Sequence, residues 1–493
     1  MARTAANPSF RPFCMSSAEA SSAAFATGQA GERSDVLWPL IVLTALAAFA
    51  IYLPNLADPM LRHDDYPALI ADPSGFWAKT LSEGRWVNYL WHLRELVTPA
   101  WLNFAVYQLL WATFAATTAR VALGPDAESF AALALALMIL ISPSAMLISL
   151  WFNTLIPGLA LVALYAVLAC VLRQSWLRVA LVPFVVVTFM AYTTYPLLIL
   201  IVALLATRQR SFLDLVGLMA LFAGSMVLAL LATYAINWQV HGIFGVELAD
   251  WRDAQPAADV AGYLANLPAL HESFDFILRN IGFNFWPATV FHLALFVGAA
   301  LVLLRRVPME ALYLLAGFLV GVALVITQAL KLGVLVPPRA FIFAWVIYAV
   351  IAVRAMQELS LSPGLAGRMA RNAVLLVVGS ILLQTFLQMM TYRDWQQETR
   401  HLAQAITPET TEIYIMGDAS HLTSAMKAGV QSGIALDFRL HMMTGIMPES
   451  CDDADVRCDA LATLPPRITG VEGLDVYQED GVTLVHVTAK PET

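Results

Sequence analysis

The chain has 493 residues, 59% hydrophobic and 13% charged, with a mean hydropathy of +0.69. A soluble domain carries about 25% charged residues, so the composition excludes an ordinary water-soluble enzyme and points to a polytopic membrane protein. The formal net charge of −8 comes with no basic stripe and no nucleic-acid motif, which sets nucleic acid aside as a partner.

Residues 1–35, rich in Ala and Ser with Arg3, Arg11 and Arg33, read as a disordered cytoplasmic tail. The segment near 37–54 reads as a retained span and not a cleaved signal peptide. Further apolar segments follow near 100–119, 129–149, 153–172, 177–191, 196–207, 213–236, 286–304, 311–330, 340–358 and 372–391. That gives about eleven spans in a mainly α fold. Arg120, Arg173, Arg178, Arg208, Arg210, Arg305, Arg306, Arg354, Arg368 and Arg371 then fall on one set of connections. By the positive-inside rule that side is cytoplasmic, as is the N-terminus. The stretch 177–207 has arginines at both ends and Ala191-Tyr-Thr-Thr-Tyr-Pro196 in its middle, which predicts a helical hairpin. One long kinked helix there would invert everything downstream.

The opposite side holds 55–99, a turn near 150–153, 237–285, 331–339 and everything after 392. Loop 55–99 carries Phe76, Trp77, Leu81, Trp86, Tyr89, Leu90 and Leu93 at near-helical spacing, which predicts amphipathic interfacial helices. After Met390 the pattern changes. Residues 411–417 read as a strand, 418–430 as a helix, and 476–487 as a β-hairpin turning at Asp480-Gly481. The expected domains are therefore the tail 1–35, a transmembrane domain 36–395 and a small extracytoplasmic α/β domain 396–493. Cys451 and Cys458 lie close together in the last; outside the cytoplasm they can pair, and otherwise they are free thiols.

Asp64 and Asp65 stand at the mouth of the first span, where ionisable groups are expensive and are functional candidates. One carboxylate can take the proton of an attacking hydroxyl while the other orients it or holds a cation. A solvated acidic pair ending a helix is the bland alternative. Lys331 and Arg339 flank Leu-Gly-Val-Leu-Val-Pro-Pro in a short loop on the side that disfavours cations. A bound anion explains them; so do two cations snorkelling to headgroups. Arg62, His63 and Arg85 add positive charge beside the acids, and Trp86 can stack on a sugar or anchor at the interface. No phosphate-binding loop, nucleophile elbow or zinc motif is present.

The span followed by His63-Asp64-Asp65-Tyr66 and Gly84-Arg85-Trp86 resembles the GtrII-like glucosyltransferases of bacterial O-antigen modification. More broadly, residues 37–395 look like the GT-C superfamily of polytopic glycosyltransferases. The resemblance implies a polyprenyl-phosphate sugar donor, work on the outer face of the membrane, and Asp64 or Asp65 as base. The expectation is a bacterial inner-membrane enzyme that moves a hexose, such as glucose, to lipopolysaccharide O-antigen or a similar surface glycan. Arg62, His63, Tyr66, Arg85, Trp86, Lys331 and Arg339 would bind substrate. The acid pair permits a divalent cation, Mg or Mn, without demanding one. The rival is a transporter or lipid-linked-glycan flippase, which requires charges at mid-depth in several spans.

Overall fold

Among the described residues of this computed structural model, seven helices are long and apolar enough to cross a membrane. The described residues are 18–70, 73–94, 96–125, 127–361, 364–451, 456–466 and 471–489; of the tail expected to be disordered, 1–17 lie outside them, while 18–35 form the start of a helix that runs on into the first span. In chain order the helices begin with α1 (Ala18–Leu56), which carries a span from Leu37. Next come α2 (Ser74–Glu83), α3 (Trp86–His92), α4 (Ala100–Leu123), α5 (Ser129–Leu140) and α6 (Pro143–Ile148). Then follow α7 (Phe152–Val171), α8 (Gln174–Phe189), α9 (Tyr195–Ala206), α10 (Phe212–His241), α11 (Val260–Ala265) and α12 (Leu267–Ile281). The remaining membrane helices are α13 (Trp286–Arg306), α14 (Pro308–Leu332), α15 (Ile342–Ser360) and α16 (Leu365–Ala405).

The other four expected spans are not among these seven, for separate reasons. Helices α5, α8 and α9 have 12, 16 and 12 residues. At about 1.5 Å per residue these do not reach across a hydrocarbon core of about 30 Å. The 129–149 segment breaks at Ser142-Pro143, where the Ser142 hydroxyl caps α6, and α6 joins α7 into one 29-residue span. Helix α4 is 24 residues long, but Asn103, Gln108, Thr117 and Thr118 lie on its buried side and dilute its apolarity.

Burial sorts the bundle. The span containing α15 is 83% buried, while those of α10, α13 and α16 are 28% buried. A helix apolar all round and enclosed is a core helix; the others turn apolar side chains outward, as lipid contact requires.

The hairpin expected at 177–207 forms as α8 and α9, joined by a turn at residues 190–194. Its two ends return together, with the Arg208 amide donating to Gln174 Oε1 at 3.4 Å. The arginines of that end are held by acids. Glu310 accepts from Arg354 Nε at 2.7 Å and Nη2 at 2.9 Å, and lies 3.3 Å from Arg210; Arg178 meets Asp214 at 2.6 Å. Helix α10 starts in this cluster and ends where His241 meets Thr80 at 2.7 Å, so loop 55–99 lies at the opposite end.

Helix α16 runs unbroken through the expected domain boundary near 395 to Ala405. Beyond it lie α17 (Thr423–Ala428), α18 (Ile434–Thr444) and α19 (Val456–Ala462). They accompany strands β1 (Glu412–Met416), β2 (Glu449–Ser450), β3 (Leu474–Glu479) and β4 (Val482–Val487), ordered β2-β1-β4-β3. β3 and β4 form the expected hairpin, with positive φ at Asp480 and Gly481; β1 runs parallel to β4. Cys451 and Cys458 are disulfide-bonded.

Gly158 on α7 lets the α8–α9 turn approach closely. A Cβ there would lie 2.6 Å from the Ala191 methyl and 2.9 Å from the Tyr195 ring. Gly158→Val should therefore destabilise the protein by about 1–3 kcal/mol, read as a lower midpoint of thermal unfolding in detergent. Gly224→Ala on α10, where a Cβ meets nothing within 4 Å, should raise that midpoint slightly. Equal midpoints for the two variants would refute this packing.

Candidate active site

Residues 58–70 leave α1 and lie against the junction between α6 and α7. The Arg62 amide donates to Leu150 O at 3.2 Å. Residues 63–69 then wind as a 3-10 helix. Successive side chains of such a helix point about 120° apart, so the two acids part company.

Asp65 points inward and is fully buried. Its carboxylate accepts the Asn153 amide at 2.9 Å and the Thr154 amide at 2.6 Å. These are first-turn amides of α7, which lack partners in their own helix, and the helix dipole favours an anion there. Burial pushes the carboxyl up to about 7, opposed by the bonds from Thr154 and Asn153. Beneath it, Asn153 Oδ1 accepts from Arg94 Nη2 at 3.0 Å and Asn103 Nδ2 at 2.7 Å. Asp65 is thus a fastening for the loop.

Asp64 points outward, and its side chain stays 26% exposed. Oδ1 accepts from Trp151 Nε1 at 2.5 Å and Oδ2 pairs with Lys79 Nζ at 2.6 Å. Burial alone would raise this carboxyl, but Lys79, with His63 and Arg85, outweighs it and holds Asp64 well below the usual carboxylate range.

Two guanidinium groups share the Trp151 ring. Arg339 lies 4.1 Å from its centroid and Arg62 5.6 Å. Arg62 is 9% exposed, and its Nε and Nη1 have no hydrogen-bond partner among the described residues. Burial lowers its pKa, and Arg339 pushes the same way. A buried, unpaired cation beside another cation is costly. A phosphate placed between them would relieve both.

An apolar cavity lies behind the same turn. Pro338 and Phe341 flank Arg339 in sequence and line a cavity of about 280 Å³, with Phe274 and Ile277 of α12 and Trp345 and Tyr348 of α15. Ser144 fixes the turn by donating to Pro338 O at 2.9 Å. Residues 338–341 therefore present a cation to Trp151 and an apolar wall to the bundle.

Four residues expected at the site are placed otherwise. Asp65 is the fastening just described. Tyr66 stacks on Phe438 of α18, ring centroids 5.5 Å apart. Trp86 donates to Asn237 at 2.8 Å and packs with Trp77, Tyr89 and His241. Lys331 does not join Arg339. Its ammonium donates to Ala257 O, because the backbone of 255–257 pairs with residues 331–332 at the end of α14. Arg62, His63, Asp64 and Arg339 do assemble. Arg85 stands behind them, paired with Glu83 and 5.5 Å from the Tyr192 ring. His63 is half-buried, and burial lowers its pKa.

Lys79 and Trp151 are the residues that sequence reasoning missed. Lys79 carried the same signal as Lys331, a cation on the side that disfavours one. Trp151 sits in the short turn expected near 150–153, where nothing in the sequence singles it out. Lys79 also bears on the cation question. Asp64 has both oxygens engaged by donors, one of them an ammonium, and Asp65 has both engaged by amides. In this arrangement all four carboxylate oxygens are held by protein donors.

The C-terminal domain grips this loop at two points. Arg439 of α18 holds Asp58 bidentately at 2.9 and 2.8 Å and donates to Thr399 Oγ1 at 2.7 Å; Phe438 holds Tyr66. The grips bracket Arg62–Asp65.

No protein-family profile and no curated protein matches the chain. The site is therefore interpreted on its geometry.

Asp65→Ala should lower stability in detergent by about 1–3 kcal/mol, since two buried amides lose their acceptor, whereas Asp64→Ala should change it by less than about 1 kcal/mol. Thermal unfolding of the two variants checks this, and the reverse ranking would overturn the fastening role. Arg439→Met should cost about 1–3 kcal/mol, because Asp58 loses its bidentate partner and keeps only the longer contact to Arg400, and the double variant Asp58→Asn/Arg439→Met should recover part of the loss.

Proposed function

We propose that this chain is a membrane glycosyltransferase of the GT-C kind, similar to the GtrII-like glucosyltransferases. In this reading it moves a hexose, glucose foremost, from a polyprenyl-phosphate sugar to a hydroxyl of O-antigen or a similar surface glycan. The observation that carries the proposal is the arrangement around Trp151. A partly exposed carboxylate, Asp64, accepts from the ring N–H, two guanidinium groups lie 4.1 and 5.6 Å from the ring centroid, and an apolar cavity lies behind one of them. Donor phosphate and isoprenoid chain have the chemistry of those last two features.

The steps follow from the charges. Donor phosphate settles between Arg62 and Arg339 and draws Lys79 toward its own negative charge. Asp64, released from its ion pair, becomes a stronger base. The acceptor hydroxyl attacks the anomeric carbon, Asp64 takes its proton, and the carbon–oxygen bond to phosphate breaks. The bonding pair leaves on the phosphate oxygen, where Arg62 and Arg339 stabilise the added charge. Phosphate leaves without protonation, so a second acid has no task.

The Cys451–Cys458 disulfide favours an oxidising compartment for the C-terminal domain. With the arginine-rich end inside, this suits a bacterial inner-membrane protein with a cytoplasmic N-terminus and a periplasmic active site. A flippase or transporter is less well supported. Among the described residues, Asp, Glu, Lys and Arg in the seven spans stand toward helix ends, not at mid-depth.

The test is glycan analysis of a deletion strain complemented with single variants, with membrane insertion checked by immunoblot. Asp64→Asn should reduce sugar addition by at least about 100-fold. Arg339→Ala and Arg62→Ala should each reduce it by roughly 100- to 1,000-fold, while Lys331→Ala leaves it within about threefold. Unchanged glycan in the deletion strain, or full activity of Asp64→Asn, would remove the proposal.

A further inference from the structure

A second cavity, of about 510 Å³, lies between the end of α1 and α16. It is built in two tiers. Leu53, Pro54, Phe386 and Met390 form the lower tier, and Arg393, Gln396 and Arg400 belong to the upper. Both helices change character at the same level. On α16, Leu383 and Leu387 are more than half exposed, as lipid-facing residues are, and Arg393 follows as an exposed cation. On α1, Leu46 and Leu53 are likewise exposed, and Asp58 follows. Two helices passing from apolar to charged at one height mark the boundary between hydrocarbon and headgroups.

The cations there are underused. Arg393 makes no hydrogen bond or ion pair among the described residues. Arg400 lies 3.4 Å from Asp58 and is 49% exposed, using only Nε, which also donates to Gln396 O at 3.0 Å. Asp58, the acid in the cavity, is already taken bidentately by Arg439. Gln396 spends its amide on Asn55 Oδ1 and Asp58 O, at 2.7 and 2.5 Å, which fixes the cavity wall. The upper tier thus carries positive charge with open donors, above an apolar slot between two membrane helices.

We propose that this cavity binds an anionic membrane lipid, its headgroup phosphate on Arg393 and Arg400 and an acyl chain against Leu53, Phe386 and Met390. The charge selects a net negative headgroup. A zwitterionic lipid brings an ammonium into a site whose carboxylate is already occupied. A free phosphate would leave the apolar tier uncovered. The site is separate from the Trp151 cluster and does not depend on the function proposed above.

Native mass spectrometry of the full chain in detergent tests this, with phosphatidylglycerol, phosphatidylcholine or inorganic phosphate added. One phosphatidylglycerol should bind, in preference to phosphatidylcholine. Arg393→Ala breaks no hydrogen bond or ion pair among the described residues, so the variant should fold; it should weaken that binding by about tenfold. Arg393→Ala/Arg400→Ala should weaken it further, and Phe386→Ala should weaken it through the apolar tier. Arg306→Ala, at the other end of the bundle, should bind as wild type. Equal binding by the Arg393 variants and wild type, equal binding of phosphatidylcholine, or displacement of the lipid by inorganic phosphate would each overturn the proposal.

Discussion

The buried carboxylate of Asp65, seated on the first amides of α7, is the constraint on which the rest of the site depends. It joins segments 88 residues apart in the chain. A carboxyl group on a helix N-terminus satisfies amides that the helix cannot satisfy itself. It also sets the rotation of the 3-10 turn that carries it. With Asp65 facing inward, the neighbouring Asp64 must face the other way, toward Trp151 and Lys79. One acid is buried so that the other can be aimed.

Trp151 is then the hub. Its N–H meets the carboxylate and its face meets two arginines, so one rigid side chain keeps the charges apart and in register. The turn at 338–341 divides the surroundings further. Its arginine goes to the polar side and its proline and phenylalanine to the apolar side. Low-dielectric walls strengthen every charge interaction inside. That makes the unpaired donors of Arg62 expensive to maintain without a ligand.

Among the described residues, the C-terminal domain contributes no charged group to Trp151 itself. Its contribution is mechanical. Helix α16 leaves the membrane without a break and carries the domain back over the loop, where Arg439 and Phe438 clasp the two ends of the segment from Asp58 to Tyr66. A loop between two spans would otherwise be among the most mobile parts of such a protein. Clasped at both ends and fastened at Asp65, it holds a defined geometry.

Much of the architecture was legible in the sequence, because it follows from patterns local to the chain. Apolar length and arginine placement determined a membrane protein with two unlike ends and the α8–α9 hairpin, and strand pattern with the Asp480-Gly481 turn determined the small C-terminal sheet. Seven of the eleven expected spans are helices long and apolar enough to cross among the described residues, because apolar runs such as 129–149 do not reveal where a helix breaks. The residues of the site were only half legible. Adjacency named Asp64 and Asp65 together but could not say which faces Trp151 and Lys79, since that depends on a contact with α7. Charge placement named Lys331 and Arg339 together, yet the turn between them sends one to a neighbouring loop and the other to Trp151. Composition and spacing are properties of the chain; the direction a side chain faces is set by what packs against it, and only the tertiary structure decided that.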